Sequence, residues 1–343
     1  MSRYNRLSVV VLGSGGFVGR HVCDAFAATD ARVLGVVRSA PEHTEHKEHR
    51  GPTEPGGRTE HTGRRPALPV VRLDLSTAPQ GRVAEVLREA AADVVVNAAG
   101  AVWQATDDQL VQSNVELTRR LIAAMTSLER RPRLIHLGSV QEYGAGVPGT
   151  ALTEDQPPRP VNPYGRSKLL ATEAVLRATE EELLDGVVLR IANVCGPHAP
   201  RGSLLGMIAA HLAAVARQGT ASGPSEASGL RLSPLRARRD FVDVRDVADA
   251  VVAAARTGLD RAATSERIIN IGCGEAVSVR QIVGRLIALS GLDTSVIEEQ
   301  DAPSGRTGVE WQQVDIARAR KLLDWQPRRT LEQSLRDLLA TAE

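Results

Sequence analysis

The chain of 343 residues contains few cysteines, few aromatic residues and few lysines. Its three cysteines, Cys23, Cys195 and Cys273, are far apart and have no CxxC spacing. That distribution excludes a disulfide framework and a cysteine-rich zinc site, and it is typical of proteins in a reducing compartment. We therefore expect a cytoplasmic protein without a metal site.

An excess of charge and a long apolar run are also missing. The 42 lysines and arginines balance 41 aspartates and glutamates, which leaves a net charge of +1. Such a balance argues against a nucleic acid or a membrane surface as a partner bound through bulk charge. The chain contains no run of about 18 apolar residues, so no membrane span is predicted. The polar segment 1–7 leads directly into a predicted strand, so we expect no signal peptide.

Short apolar runs alternate with segments of helical apolar spacing along most of the chain. Strands are predicted at 8–12, 32–37, 70–75, 93–98, 134–137, 186–191 and 268–271, and helices at 17–28, 80–91, 107–128, 163–181, 203–217 and 246–256. This alternation is typical of a doubly wound parallel sheet. We expect an α/β, Rossmann-like domain (1–190 and about 240–275) with a smaller C-terminal α/β substrate-binding lobe (about 191–239 and 276–343).

Two segments interrupt this alternation. Residues 41–66 contain four of the eight histidines, His43, His46, His49 and His61. One interpretation is a metal site, but a flexible surface insertion is favoured, because metal ligands need a rigid supporting frame. The Gly-, Ser- and Arg-rich segment 220–239 is predicted to be a loop on the substrate side.

A glycine-rich turn, Gly13-x-x-Gly16-x-x-Gly19, separates the first predicted strand from the first helix. In a β-α-β unit, glycines at these positions allow a tight turn, close approach of a diphosphate and close packing of helix on strand. The N–H groups of the helix N-terminus then attract the phosphates. The turn predicts a dinucleotide site, although an ordinary strand–helix turn has a similar pattern.

The end of the second predicted strand indicates which dinucleotide binds. Sites that prefer NAD usually carry an acidic residue there, whereas this strand ends in Arg38 and Ser39. A guanidinium can bind a 2′-phosphate that a carboxylate would repel. We therefore expect NADP(H) as the cofactor, with stacking of Arg38 on adenine or its exposure to solvent as the alternatives.

Tyr164 and Lys168 lie four residues apart in a predicted helix that follows Pro163. This spacing places them on one helix face, and a lysine ammonium there is expected to lower the pKa of the phenol. Only three tyrosines and three lysines occur, so the pair is an uncommon coincidence. Ser139, which follows the fifth predicted strand, would hold a substrate carbonyl or hydroxyl beside Tyr164, or it would only cap a loop.

With these motifs in place, the sequence resembles the extended short-chain dehydrogenase/reductase family of sugar-nucleotide epimerases, dehydratases and reductases. The likeness covers nearly the whole chain. It rests on Gly13-x-x-Gly16-Phe17-Val18-Gly19, Asp74-Leu75, Asn97-Ala98-Ala99-Gly100, Ser139-x-x-x-Tyr143-Gly144, Tyr164-x-x-x-Lys168, Arg190-x-x-Asn193-x-x-Gly196-Pro197 and the run from Arg239 to Val244.

The resemblance implies a role for each matching residue. Ser139, Tyr164 and Lys168 are expected to be catalytic. Cofactor contacts are expected from Gly13, Gly15, Gly16, Phe17, Val18, Gly19, Arg38, Ser39, Asp74, Leu75, Asn97, Ala98, Ala99, Asn114, Tyr164, Lys168, Ile191 and Asn193. Substrate contacts are expected from Ala101, Ser139, Gln141, Tyr164, Asn193, Arg239 and Arg306, with the two arginines on the diphosphate. The predicted helices 107–128 and 163–181 resemble the pair that forms the family's homodimer.

The residues after Ser139 favour one branch of the family. Dehydratases carry an Asp-Glu pair where this chain has Val140 and Gln141, so dehydration is not expected. The segments 138–144 and 239–246 resemble those of nucleotide-linked 4-keto-6-deoxyhexose reductases. The expected reaction is NADPH-dependent reduction of the C4 keto group of such a sugar in deoxysugar biosynthesis, with dTDP as the expected nucleotide. A 4-epimerase and a non-catalytic NADP(H)-binding regulator are the alternatives.

Overall fold

A computed structural model describes residues 6–38, 68–102, 105–218, 229–259, 263–299 and 309–342. The predicted insertion 41–66, with its four histidines, lies outside the described residues, as do Ser39 and Arg306. Among the described residues, no helix is long and apolar enough to cross a membrane, and no group of histidine, cysteine and acidic side chains could hold a metal ion.

Seven strands form one parallel sheet. They are β1 (Ser8–Leu12), β2 (Arg32–Val37), β3 (Val70–Arg72), β4 (Val94–Asn97), β5 (Arg133–Ser139), β6 (Asp185–Ile191) and β10 (Ile268–Ile271). Their order in the sheet is β3-β2-β1-β4-β5-β6-β10, and every neighbouring pair is parallel. The order reverses beside β1, and ligands of such sheets bind at this switch point, outside the carboxyl ends of the strands. The predicted Rossmann-like fold is confirmed.

Helices cover both faces of the sheet because successive strand residues point to opposite sides. Val9 and Val11 pack in one apolar layer with α1 (Phe17–Ala27) and α7 (Val244–Arg256). Val10 and Leu12 pack in the other layer. That second layer contains α2 (Gln80–Glu89), α4 (Leu117–Thr126) and α5 (Pro163–Glu180). Strands buried on both faces explain the unbroken runs of valine, leucine and isoleucine in the sequence.

The six other strands and four further helices of the described residues lie in the C-terminal part of the chain. Its strands are β7 (Asn193–Cys195), β8 (Leu230–Leu232), β9 (Arg238–Asp243), β11 (Ala276–Ser278), β12 (Val296–Glu298) and β13 (Trp311–Gln312). Its helices are α6 (Leu204–Gln218), α8 (Val279–Ser290), α9 (Ala317–Leu323) and α10 (Leu331–Ala340). β9 pairs in parallel with β7 and β13 and antiparallel with β11, while β8 pairs with β12. A separate apolar cluster joins α6, α8 and α10.

Three predicted elements differ from the structure. β3 ends at Arg72, so Asp74 and Leu75 lie in the turn that follows it. The predicted loop 220–239 is wrong where it is described, because β8 and the start of β9 fall within it and each has a pairing strand. The predicted helix 107–128 is divided into α3 (Asp107–Leu110), a π-helical segment (Val111–Glu116) and α4.

Candidate active site

The glycine-rich turn between β1 and α1 is closely packed. Gly13 has a φ of +77°, a backbone conformation that side chains disfavour. A Cβ on Gly13 would lie 2.8 Å from the Cα of Ala99, and one on Gly19 would overlap with the carbonyl oxygen of Gly13. Gly16, at the N-cap of α1, has no side chain to occupy the N–H groups of the first helical turn. The turn therefore fits the diphosphate of a dinucleotide.

Arg38 and Asp74 lie near one another at the carboxyl ends of β2 and β3. Ser76 donates two hydrogen bonds to the carboxylate of Asp74, from its hydroxyl at 2.5 Å and its N–H at 2.9 Å. These bonds, and less strongly the charge of Arg38, lower the pKa of Asp74. Arg38 is exposed, whereas Leu75 is buried. A solvent-facing guanidinium next to an ionised carboxylate is suited to the adenosine end of a cofactor.

The other residues predicted to contact the cofactor also occupy carboxyl ends of the sheet. Ala98 and Ala99 follow β4 and adjoin Gly13, while Ile191 ends β6. Asn97 differs from its expected place. Its side chain, 1% exposed, donates to Thr118 Oγ1 and lies 3.1 Å from Nδ1 of His136, so it points into the helical layer.

Helix α5, which carries Tyr164 and Lys168, begins at a well-defined cap. The side-chain oxygen of Asn162 accepts a 2.7 Å hydrogen bond from the N–H of Gly165, and Pro163 occupies the first helical position. A Cβ on Gly165 would overlap with the carbonyl oxygen of Gln141, so the start of the helix lies directly on that residue. This packing fixes where Tyr164 leaves the helix.

The structure brings Ser139 and Tyr164 together. Ser139 is the last residue of β5 and is 6% exposed. Its hydroxyl accepts a 3.2 Å hydrogen bond from the N–H of Gln141, which caps a 3₁₀ turn, and it also hydrogen-bonds to the side chain of Tyr164. Ser139 therefore caps this turn and also adjoins Tyr164, whereas its contact with a substrate carbonyl or hydroxyl stays a prediction. A hydroxyl pair at this edge can hold and protonate a carbonyl oxygen.

The prediction that Lys168 lowers the pKa of Tyr164 is not confirmed. Burial raises the pKa of Tyr164 to about 12, the Ser139 hydrogen bond opposes this rise, and the charge of Glu142 adds to it. The buried amine of Lys168 donates to the carbonyl oxygen of Leu137, and burial lowers the pKa of Lys168 to about 8. The i, i+4 spacing gives the shared helix face but not the desolvation that dominates both groups.

Asn114 connects three parts of the site. It lies in the π-helical segment, and its side chain both accepts from the N–H of Ala101 and donates to the carbonyl of Ala101, each at 3.1 Å. It also donates to the hydroxyl of Ser167 at 2.9 Å, and that hydroxyl donates to the carbonyl of Tyr164. Asn114 is thus a structural support for the residues around Tyr164, and π-helical turns often occur at functional sites.

A buried ion pair beneath Ser139 was not identified from the sequence. Glu142 and Arg190, 0% and 2% exposed, are joined by a 2.8 Å bond from Arg190 Nε. The other carboxylate oxygen of Glu142 accepts from the N–H of Ser139 and the hydroxyl of Thr172. The guanidinium also lies 4.4 Å from the ring centre of Tyr143. The sequence shows an acidic residue, Glu142, close to Ser139, but it does not show the partner Arg190, which is 48 residues away.

Three of the residues predicted to bind substrate form hydrogen bonds within the protein. Asn193 donates to the carbonyl of Asp240, and Arg239 donates to Gln312 and to the carbonyl of Val309. Gln141 is 6% exposed, with a side chain hydrogen-bonded inside the protein, which differs from the expected direct contact with substrate.

Comparisons with known proteins place this geometry in context. The model of the NAD dependent epimerase/dehydratase family matches residues 9–272. A dTDP-6-deoxy-L-talose 4-dehydrogenase (NAD(P)(+)) of Kitasatospora kifunensis is 43% identical over 332 residues, 96% of this chain and 94% of that protein.

Solved structures share the fold. The UDP-glucuronic acid 4-epimerase of Bacillus cereus, in complex with UDP-glucuronic acid and NAD, has a TM-score of 0.77 at 21% identity, over 97% of this chain and 98% of that one. RMD of Pseudomonas aeruginosa, complexed with NADPH, has a TM-score of 0.74 at 20% identity, over 98% and 97%. At these identities the likeness concerns the fold alone.

Proposed function

The chain belongs to the NAD dependent epimerase/dehydratase family, and from this premise we propose that it uses NADPH to reduce the C4 keto group of a dTDP-linked 4-keto-6-deoxyhexose. One observation carries the proposal. The relative that is 43% identical over 96% of this chain is named for oxidation at C4 of a dTDP-6-deoxyhexose, the reverse of the same reaction. The Ser139–Tyr164 pair is what such chemistry needs from the protein.

The proposed chemistry assigns the proton to Tyr164. Its hydroxyl donates a proton to the C4 keto oxygen, which takes up the C=O π electron pair as hydride adds to C4, and the Ser139 hydroxyl hydrogen-bonds to the same oxygen. Lys168, whose Nζ donates to the carbonyl of Leu137, is proposed to hold the ribose of the cofactor. When bound, the nicotinamide supplies the hydride to C4. The sugar would occupy the space between the proposed Rossmann domain (1–190 and about 240–275) and the proposed lobe (about 191–239 and 276–343).

Two features support the choice of cofactor and reaction. The exposed Arg38 at the end of β2 favours a 2′-phosphate, and hence NADP(H). Val140 and Gln141 carry no acid after Ser139, so water elimination from the sugar has no second proton donor at these positions. Arg239, Arg306 and Asn193 are the proposed contacts of the substrate diphosphate.

The proposal is tested by mixing the purified protein with NADPH and a panel of nucleotide-linked 4-keto-6-deoxyhexoses. We expect stoichiometric oxidation of NADPH and a 4-hydroxy product by NMR, with dTDP sugars preferred. Interconversion of 4-hydroxy sugars without net cofactor consumption would instead identify a 4-epimerase. Tight NADPH binding with no turnover of any sugar would identify a regulator.

We also propose a homodimer formed through α4 and α5 and the π-helical segment before α4. Val111 and Leu170, on these elements, are 41% and 45% exposed. Light scattering should give twice the chain mass for the wild type and a monomer for Leu170→Arg. A monomeric wild type would contradict this arrangement.

A further inference from the structure

We propose that Gln312 and Gln141 form a hydrogen-bonded link, the amide link, through which a diphosphate on Arg239 controls the position of Tyr164. The inference rests on the proposed function, since it requires a substrate that carries a diphosphate. It assigns Gln312 and Gln141 as positioning residues, not as residues that touch the substrate.

The link begins in the small mixed sheet. β13 pairs with β9 so that Gln312 lies directly opposite Arg239, and residues opposite each other in a sheet place their side chains on one face. The guanidinium of Arg239 donates to Gln312 Oε1 at 2.7 Å and to the carbonyl of Val309 at 2.6 Å. Burial lowers the pKa of Arg239 to about 10, so an anion that binds there would stabilise its charge.

The link then crosses to the catalytic helix. Gln141 Nε2 donates to the same Gln312 oxygen at 3.1 Å, and Gln141 Oε1 accepts from Asn162 Nδ2 at 3.1 Å. Gln312 and Gln141 are 0% and 6% exposed, so water competes little for these bonds. Gln312 Nε2 also lies 3.4 Å from the carbonyl of Val140, which fixes the orientation of its amide.

The link ends at the residue before the helix. Asn162 caps α5 through the N–H of Gly165, and the backbone of Gln141 is in direct contact with Gly165. Tyr164 lies in the sequence between Asn162 and Gly165. A shift of Gln141 therefore moves the side chain that donates the proton, whereas Arg239 itself acts on a different part of the substrate.

The amides of Gln312 and Gln141 are neutral, so they add no charge near the reacting atoms. Their expected effect is on the position of Tyr164. A small misplacement of a catalytic group lowers the rate of the chemical step without a matching loss of affinity. We therefore expect that disruption of the amide link lowers kcat and leaves KM nearly unchanged. Because the link starts from a diphosphate bound to Arg239, the effect should be seen only with a substrate that carries a diphosphate.

The first experiment replaces Gln312 by methionine, which has a similar length but no hydrogen-bonding amide. We expect kcat to fall about ten-fold, which corresponds to the loss of about one hydrogen bond. KM for the nucleotide sugar should change less than about two-fold, because Arg239 keeps its bond to Val309. Gln313→Met is the matched control, because Gln313 donates to Gly274 instead and should keep wild-type values. A rise in KM with unchanged kcat would overturn the inference.

A second variant tests that the two glutamines act as one unit. Gln141→Met should lower kcat by the same factor, and the double variant should be no slower than either single variant. Independent losses that multiply to about a hundred-fold would contradict the link. Thermal unfolding identifies any variant that fails to fold, and the other variant then decides the question.

A binding measurement separates this inference from the proposed reaction. Addition of dTDP alone should slow hydrogen exchange at the backbone amides of residues 164–168 in the wild type, but not in Gln312→Met. If the wild type reduces no sugar yet shows this protection, the reaction is wrong and the link stands. If the wild type reduces the sugar but dTDP leaves these amides unchanged, the link is wrong and the reaction stands.

Discussion

The two sides of the seven-stranded sheet are built differently. Around β1, β2 and β3, the candidate cofactor site consists of a glycine turn and an exposed arginine, Arg38. Around β5 and β6, the candidate catalytic site lies over buried charge, with Glu142 and Arg190 almost inaccessible to solvent. The first side provides backbone N–H groups and open space for a ligand. On the second side, the side chains are held by buried interactions whose loss is costly. Substitutions should therefore separate binding from turnover and stability.

The largest expected effect is at Tyr164. Tyr164→Phe removes the proposed proton donor, so kcat should fall by about 10²- to 10⁴-fold. The affinity for NADPH, measured by fluorescence titration, should stay within about two-fold because the glycine turn is untouched. Tyr143→Phe is the control, because the hydroxyl of Tyr143 donates to Asn270 and not to Ser139. Turnover of Tyr164→Phe at the wild-type rate would contradict the assignment.

Next in size is the buried ion pair. Glu142→Leu leaves Arg190 without its carboxylate and should reduce the free energy of unfolding by about 3–5 kcal/mol in urea titrations. Adding Arg190→Met to that variant should restore much of the stability, because the guanidinium that lost its carboxylate is then removed as well. Glu116→Gln, in an exposed pair with Arg119, should have little effect. Equal losses in the buried and the exposed pair would remove the contrast between the two sides.

A smaller effect is expected at Arg38. Arg38→Ser should raise KM for NADPH about ten-fold and leave KM for NADH nearly unchanged, since only NADPH has the phosphate that a guanidinium binds. Arg32→Ser, at the opposite end of the same strand, is the control. A wild-type preference for NADH, or equal effects on both cofactors, would show that Arg38 does not read the 2′ position.

The smallest effect concerns pH. Burial lowers the pKa of His136 well below its ordinary value, so the folded protein keeps it neutral while the unfolded chain binds a proton below about pH 6.5. Unfolding free energy should thus fall as pH drops below that value, with His136 contributing up to about 1.4 kcal/mol per pH unit. His136→Gln should flatten this slope. An unchanged slope in His136→Gln would contradict the buried neutral imidazole.

Local sequence patterns predicted most of the sheet but only part of the site. Runs such as Val94–Asn97 are buried on both faces, and such burial is visible as an unbroken apolar run. The glycine turn and the Tyr164–Lys168 spacing are local too. Whether Asp74 extends a strand or forms a turn depends instead on the hydrogen bonds of Ser76, which apolar periodicity does not show.

Long-range contacts explain what the sequence could not predict. Gln312 meets Gln141 across 171 positions only because β13 pairs with β9. The direction of the Tyr164 pKa depends on desolvation, which a spacing of four residues does not indicate. The π-helical segment that carries Asn114 differs from an α-helix by its hydrogen bonds, while both produce similar apolar spacing.

The most direct test of the proposed reaction follows the hydride itself. NADPH deuterated at the transferable position of its nicotinamide C4 is incubated with the protein and a dTDP-linked 4-keto-6-deoxyhexose, and the product is examined by NMR. We predict one deuterium at C4 of the sugar for each NADPH consumed, with one configuration at that carbon. A product whose C4 carries only solvent-derived or substrate-derived hydrogen would contradict hydride transfer to the keto group.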